Sequence, residues 1–165
     1  MNIGFTAKAQ NALNMALKTA SEMGHTCIGS EHILAGLLKD PSNVAAVMLS
    51  TKKITYHSFT DVIRMNIGVG FPTKLNENDI TPRAAKIIRN AVSVAASSGV
   101  TLAGTEHILS ALLKEPSCFA NRALVKMGVV PSELYSEMTR IFSDGGTGAK
   151  TTRQREKAAS PSKLS

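Results

Sequence analysis

The chain contains one stretch of sequence twice, almost unchanged. GSEHILAGLLKDPS at Gly29–Ser42 returns as GTEHILSALLKEPS at Gly104–Ser117, with a constant offset of 75 residues. Many residue types can maintain an apolar helical stripe, so packing alone does not require the same Gly, hydroxyl, Glu and His in both copies. Two copies are too few for a solenoid, in which stacked neighbours share a growing core. The duplication therefore predicts one globular domain with pseudo-twofold symmetry.

Each copy has the sequence pattern of four helices, and the first of them is the best marked. It is predicted to begin at Thr6 or Thr81, where the hydroxyl can cap free backbone N–H groups. Apolar residues then recur at helical spacing in both copies. Gly24 and Gly99 are predicted to end these helices in the left-handed conformation.

The second helices carry the repeated stretch. They are predicted to begin with a hydroxyl cap at Ser30 or Thr105 and to end at Pro41 or Pro116. No segment alternates as a strand does, so the predicted fold class is all-α with about eight helices. Shorter third helices and fourth helices complete the copies near Asn43–Thr51, Cys118–Met127, Tyr56–Met65 and Ser132–Phe142.

The predicted domain organisation is a single helical domain, with a linker between its two repeats and a tail after them. Residues 67–79 contain Gly68, Gly70 and Pro72 and are predicted to cross the surface as a loop, with Phe71 as its anchor. The tail is basic and poor in large apolar residues, which is typical of disorder. The predicted ranges are a domain at 1–143, repeats at 5–66 and 80–143, and a disordered tail or linker at 144–165.

Composition narrows the class of protein. Hydrophobic residues make up 43% of the chain and aromatic residues 4%, which favours closely packed helices. No apolar run reaches the roughly 18–20 residues of a membrane span, and no signal-peptide pattern is present. Cys27 and Cys118 are predicted to be buried small hydrophobes in a reducing cytosol. The net charge is +7, of which the tail supplies +3. The charge of the tail is modest and no aromatic residue is interleaved with it, so a cytoplasmic monomer without nucleic-acid or membrane partners is expected.

The repeated Glu-His pair, Glu31-His32 and Glu106-His107, has several interpretations. Adjacent helical residues point about 100° apart and do not converge on one metal ion, and the HExxH spacing is absent. No Ser or Cys nucleophile recurs with a supporting carboxylate, His25 has no partner in the second copy, and no GxxxxGK[ST] motif is present. We therefore expect no metal, no cofactor and no catalytic residue. A first-turn Glu also complements the helix dipole, which is a purely structural role.

A binding role accounts better for the repetition of the pair. The start of a helix offers N–H groups and a partial positive charge to an anion. A neighbouring Glu can hold a guanidinium group through two parallel hydrogen bonds. A ligand that carries both groups, such as phosphorylated arginine, would use both features at once.

The sequence resembles a known family at FTAKAQNAL…GHTCIGSEHILAGLL and at ITPRAAKIIRNA…GTEHILSALLKEP. It is similar to the N-terminal domain of the ClpC-type Clp unfoldases over about residues 1–143. The resemblance implies two four-helix repeats that recognise adaptor proteins and protein substrates, including substrates tagged with phosphoarginine. The ATPase modules of those unfoldases are not recognisable in the chain, so a non-catalytic binding domain is expected. The alternative is a docking or regulatory module that binds another Clp component without reading a tag.

The resemblance also implies two ligand sites. Thr6 and Glu31 would form the first site, and Thr81 and Glu106 would form the second. The carboxylates would take the guanidinium group, while the hydroxyls and the adjacent helix-start amides would hold the phosphate. The predicted set is completed by the hydroxyl residues that begin the second helices, Ser30 and Thr105.

Overall fold

The chain folds as an all-helical domain, as the sequence predicts. The computed structural model describes residues 4–143, and the predicted tail at 144–165 lies outside the described residues. Within 4–143 the structure has eight helices and no named strand. The helices of the first repeat are α1 (Ala7–Glu22), α2 (Ser30–Lys39), α3 (Val44–Ser50) and α4 (Tyr56–Ile67), and those of the second are α5 (Pro82–Ser97), α6 (Thr105–Leu113), α7 (Phe119–Lys126) and α8 (Pro131–Ser143).

The starts of α1 and α5 confirm the predicted threonine caps. Thr6 Oγ1 accepts a hydrogen bond from the Ala9 N–H at 3.1 Å, and Thr81 Oγ1 accepts one from the Ala84 N–H at the same distance. Each bond satisfies one of the N–H groups that a helix start leaves without an intrahelical partner. After α1, Gly24 takes a positive φ of 78°, and an added Cβ would lie 2.5 Å from the Gly70 carbonyl carbon. Glycine is therefore required there by conformation and by space.

The hydroxyls of Ser30 and Thr105 have a different role from the one predicted. They are the first residues of α2 and α6, and the N-caps are Gly29 and Gly104. The hydroxyls reach across to the other repeat, because Ser30 Oγ accepts from the Ala120 N–H of α7 at 3.1 Å. Thr105 Oγ1 accepts from the Ala45 N–H of α3 at 3.2 Å. Each repeat thus caps the third helix of the other.

Short backbone contacts between the repeats follow the same symmetry. Phe5 forms a parallel bridge with Ala103, and Ile28 forms the equivalent bridge with Ile80. Two hydrogen bonds make the first bridge, at 2.9 Å and 2.6 Å, and two make the second, at 3.0 Å and 2.7 Å. The segment before the first helix of each repeat therefore pairs with the segment before the second helix of the other.

The core is one cluster to which both repeats contribute. Helices α2 and α6 lie at its centre, and most of their residues are buried. In the first repeat α1 and α2 pack so closely that Gly36 faces the backbone of Ala12 and Ala16. The largest fully buried side chains come from both halves and include Phe59, Ile33, Leu37, Ile87, Ile108, Leu112 and Leu134.

Backbone hydrogen bonds hold the linker between α4 and α5 against the end of α1. The Gly70 N–H donates to the Met23 carbonyl at 2.8 Å, and the Thr73 N–H donates to the Ser21 carbonyl at 2.9 Å. Thr73 Oγ1 also donates to the His25 carbonyl at 2.7 Å. The prediction that Phe71 anchors the linker is wrong, because this residue is 93% exposed.

Two further sequence expectations concern the cysteines and the membrane. Cys118 is buried as predicted, whereas Cys27 is half-buried. No helix within residues 4–143 is long and apolar enough to cross a membrane.

The crossed hydroxyl caps make a testable contribution to stability. Replacing Thr105 by Ala, or Ser30 by Ala, should lower the free energy of unfolding by about 1 kcal/mol each, because a buried helix-start N–H loses its acceptor. Chemical denaturation measures the loss. The control is Ser93→Ala on the exposed face of α5, which should change stability by less than about 0.5 kcal/mol. Equal effects at all three positions would contradict the assigned capping role.

Candidate ligand-binding site

The repeated histidines complete the starts of α2 and α6. His32 Nδ1 accepts a hydrogen bond from the Gly29 N–H at 2.9 Å, and His107 Nδ1 accepts one from the Gly104 N–H at 2.8 Å. Each imidazole therefore bonds back to the N-cap residue of its own helix, as the third helical residue of a capping box does. This backbone bond is a structural reason for the recurrence of His.

In the first repeat the His32 imidazole is the first member of a chain of hydrogen bonds. His32 Nε2 lies 2.7 Å from His25 Nδ1, and His25 Nε2 lies 2.8 Å from the Gly68 carbonyl. Because Gly29 donates to His32 Nδ1, these partners require the Nε2–H form of both rings. The first ring then donates to the second, and the second donates to the linker. This histidine chain joins the start of α2 to the end of α4.

Burial and hydrogen bonding both disfavour the protonated, positively charged form of His32. The residue is 1% exposed, and burial together with the nearby His25 lowers the pKa of His32 to about 3. Burial disfavours the charged imidazolium, and protonation at Nδ1 would also set one N–H against another. His32 is therefore neutral at ordinary pH and does not serve as a cationic ligand-binding group.

Glu31 is the member of the Glu31-His32 pair whose side chain can bind a cationic ligand. Its carboxylate folds over Gly29, where an added Cβ would lie 2.6 Å from Oε1, so glycine provides the space for the carboxylate. Burial raises the pKa of Glu31, while its own backbone N–H, His25 and Arg122 act in the opposite direction. The side chain remains 13% exposed. A half-buried carboxylate of this kind is suited to a cationic partner that replaces its lost hydration.

The predicted site residues come together in crossed pairs. The Thr81 N–H donates to the Ile28 carbonyl at 3.0 Å, which places Thr81 beside the start of α2 and near Glu31. The Thr6 N–H donates to the Ala103 carbonyl at 2.9 Å, which places Thr6 beside the start of α6 and near Glu106. The predicted pairing of Thr6 with Glu31, and of Thr81 with Glu106, is therefore wrong.

The reason for the crossing is the antiparallel packing of α1 on α2. Lys8 Nζ lies 3.3 Å from Asp40 Oδ2 at the far end of α2, and Gly36 faces the middle of α1. Thr6 and Glu31 consequently lie at opposite ends of the pair. At 1.5 Å per residue, about ten residues of helix separate them by about 15 Å.

Three helix starts from both repeats meet at Glu31. The start of α5 lies beside α2 through Thr81, and the start of α7 lies beside α2 through the bond from Ala120 to Ser30. Arg122 projects from the first turn of α7 and is exposed. We call Ser30, Glu31, Thr81 and Arg122 the Glu31 cluster. It combines one carboxylate, one guanidinium group and several N–H groups with a partial positive charge.

The equivalent residues of the other half form the Glu106 cluster, which consists of Thr105, Glu106, Thr6 and Val47. Glu106 is buried, with 3% exposure, whereas Glu31 is half-buried. Val47 takes the place that Arg122 has in the Glu31 cluster. Arg122 and Gly29 were not identified from the sequence, although the aligned Arg122 and Val47 are a visible difference between the copies.

No group of three or more His, Cys, Asp or Glu side chains within residues 4–143 could hold a metal ion. The Glu31 cluster itself offers charged side chains, hydroxyls and helix-start N–H groups for ionic and hydrogen-bonding contacts.

Comparison with known proteins gives a match over most of the chain. The family model for the Clp repeat (R) N-terminal domain matches residues 4–101 and 79–162. The first match covers the first repeat, the linker and α5, and the second match covers the described part of the second repeat. The chain belongs to this family.

Curated relatives of this Clp N-terminal domain are larger proteins. The "Negative regulator of genetic competence ClpC/MecB" of Bacillus subtilis (strain 168) is 31% identical over 157 residues, which are 95% of this chain and 19% of the relative. The "Chaperone protein ClpB" of Oceanobacillus iheyensis is 32% identical over 146 residues, which are 88% of this chain and 18% of the relative. The chain thus spans about a fifth of the length of these relatives.

Solved structures share the fold of the Clp N-terminal domain. The N-terminal domain of ClpD from Arabidopsis thaliana superposes with a TM-score of 0.71 at 18% identity, over 87% of this chain and 97% of that one. A ClpV N-domain in complex with a VipB peptide superposes with a TM-score of 0.62 at 17% identity, over 86% of this chain and 88% of that one. The latter shows a domain of this fold holding a peptide.

Proposed function

We propose that this domain recognises protein partners for a Clp-type unfolding or degradation machine, and that it does so by binding phosphoarginine side chains at the Glu31 cluster. Adaptor proteins and protein substrates are the partners in this proposal. The membership of the Clp N-terminal family and the peptide held by a ClpV N-domain support the general role. The Glu31 cluster supports the choice of ligand.

The observation that carries the proposal is the half-buried carboxylate of Glu31 among three helix starts. A guanidinium group can form two hydrogen bonds with the carboxylate, and burial strengthens such a charge-assisted pair. The phosphoryl group of the same ligand would face the starts of α5 and α7. There the Thr81 hydroxyl can donate to it, and the partial positive charge of the helices favours it.

The Glu106 cluster is the second site of the proposal, formed by Thr6, Thr105 and Glu106. The hydroxyls of Ser30 and Thr105 contribute indirectly, since they hold the starts of α7 and α3 in place. They are positioning residues, and the carboxylates with Thr6 and Thr81 are the ligand-contacting groups.

A titration with phosphoarginine tests the proposal. Isothermal titration calorimetry should show saturable binding to the domain, and Glu31→Gln should weaken that binding roughly ten-fold or more because a charge-assisted pair is lost. Free arginine should bind more weakly than phosphoarginine because it brings no anion to the helix starts.

The control is Glu133→Gln, which removes the first-turn carboxylate of α8, an exposed one. This change should leave the affinity unaltered. Melting curves recorded on both variants separate loss of binding from loss of folding. Normal phosphoarginine affinity in Glu31→Gln would show that the carboxylate serves only the helix.

The second candidate function is a docking module that binds another Clp component without reading a tag. The exposed apolar residues Met65, Val69 and Phe71, around the end of α4 and the linker, favour this candidate because such side chains suit a protein interface. Absence of saturable phosphoarginine binding to the folded domain would leave this function in place of the first.

A further inference from the structure

The two clusters differ in charge at one structurally equivalent position. Arg122 lies on the first turn of α7, two residues after Ala120, whose N–H bonds to Ser30 beside Glu31. Val47 lies on the first turn of α3, two residues after Ala45, whose N–H bonds to Thr105 beside Glu106. Both residues are exposed. A guanidinium group in one cluster is therefore replaced by an isopropyl group in the other.

The other basic residues near the clusters do not offset this difference. Lys8 follows Thr6 and pairs with Asp40 at 3.3 Å. Arg83 follows Thr81 and approaches Glu115 at 3.7 Å, and Lys86 of α5 lies 3.6 Å from the same carboxylate. The pairs of Lys8 and Arg83 occupy equivalent positions in the repeats and each contains one carboxylate. The charge of Arg122 is thus an addition to the Glu31 cluster alone.

Arg122 also has a side-chain contact that limits its freedom. Its guanidinium carbon lies 5.9 Å from the centre of the Phe119 ring at the start of α7, within the range of a cation–π contact. A guanidinium group held at a helix start can bind a phosphoryl group through two hydrogen bonds, whereas valine offers none.

We propose that Arg122 is the anion-holding residue of the Glu31 cluster and makes it the tighter of the two sites. The inference rests on the proposed function for the identity of the ligand. It adds that Glu31 takes the guanidinium group of the ligand while Arg122 takes its phosphoryl group. The domain then fills the Glu31 cluster at a lower ligand concentration than the Glu106 cluster.

Exchange of the two residues tests this inference. Arg122→Val should weaken phosphoarginine binding at the tighter site roughly ten-fold, since a charge-assisted contact is lost. Val47→Arg should strengthen binding at the Glu106 cluster and bring the two sites closer in affinity. Arg89→Val, on an exposed face of α5 about two turns from Thr81, makes the same change of net charge and should leave the tighter site unaltered.

Inorganic phosphate separates this inference from the proposed function. In NMR titrations of the folded domain, phosphate should shift the amide signals at the start of α7 more than those at the start of α3, and Arg122→Val should remove that preference. If phosphate behaves in this way but phosphoarginine binds no better than phosphate, the anion-holding role stands and the proposed ligand is wrong. Unchanged or tighter phosphoarginine binding in Arg122→Val would overturn the inference. Arg122 would then either make no contact with the ligand or compete with the ligand's guanidinium group for Glu31.

Discussion

Acidification from about pH 7 to about pH 4 should lower the free energy of unfolding by about 3 kcal/mol through His32 alone. The folded state holds the pKa of this residue at about 3, whereas the unfolded chain restores a value near 6.5. Below about pH 6.5 the unfolded state therefore binds more protons than the folded state. The stability that neutral His32 provides is present above about pH 6.5 and is lost as the pH falls toward about 3.

Denaturant titrations at several pH values, on wild type and on His32→Asn, measure this contribution. Asn can still accept the Gly29 N–H but does not titrate, so the variant should show a flatter decline of stability between about pH 6.5 and about pH 4. The raised pKa of Glu31 acts in the opposite direction, and it is present in both wild type and variant. An equally steep decline in His32→Asn would assign the acid sensitivity to other groups.

Replacement of Gly36 by Val should destabilise the domain by about 3 kcal/mol or more and lower its melting temperature by about 10 °C. A Cβ at this position would lie 2.2 Å from the Ala12 carbonyl oxygen and 2.8 Å from the Ala16 nitrogen. Both are backbone atoms, so α1 and α2 would have to move apart and lose contact along their length.

The second repeat offers a control for this substitution. The residue equivalent to Gly36 is Ala111 in α6, which is buried, so that half of the domain accommodates a Cβ. Gly36→Ala gains helix propensity of about 1 kcal/mol and should still be less stable than wild type because of the clash. A Gly36→Ala variant as stable as wild type would show that α1 and α2 can move apart without a loss of free energy of unfolding.

The helices were predictable because their signals are local. The hydroxyls of Thr6 and Thr81 stand directly before apolar residues at helical spacing, and capping needs only neighbouring N–H groups. The predicted N-cap of α2 is one residue away from the observed one, because Ser30 also has the sequence pattern of a cap. Its actual acceptor role depends on Ala120, which is remote in the chain and invisible to a local rule.

The residues of the proposed site could be named from the sequence, but their pairing could not. The repeated Glu and hydroxyl residues point to Glu31 and Thr81 as recognition groups, yet only the antiparallel packing of α1 and α2 sets Thr81 rather than Thr6 near Glu31. Phe71 illustrates a related limit. A large apolar residue in a loop suggests an anchor, but hydrogen bonds of Gly70 and Thr73 hold this linker instead.

The reciprocal caps and bridges make the boundary between the repeats resemble the interface of a symmetric homodimer. In such an isologous interface, each subunit offers the other the same set of groups. A single repeat on its own would leave the Ala45 or Ala120 N–H and one edge of a bridge segment without partners, and a second copy is the simplest molecule that supplies them. The linker keeps the two copies at a high effective concentration, so an assembly that would otherwise depend on protein concentration becomes intramolecular.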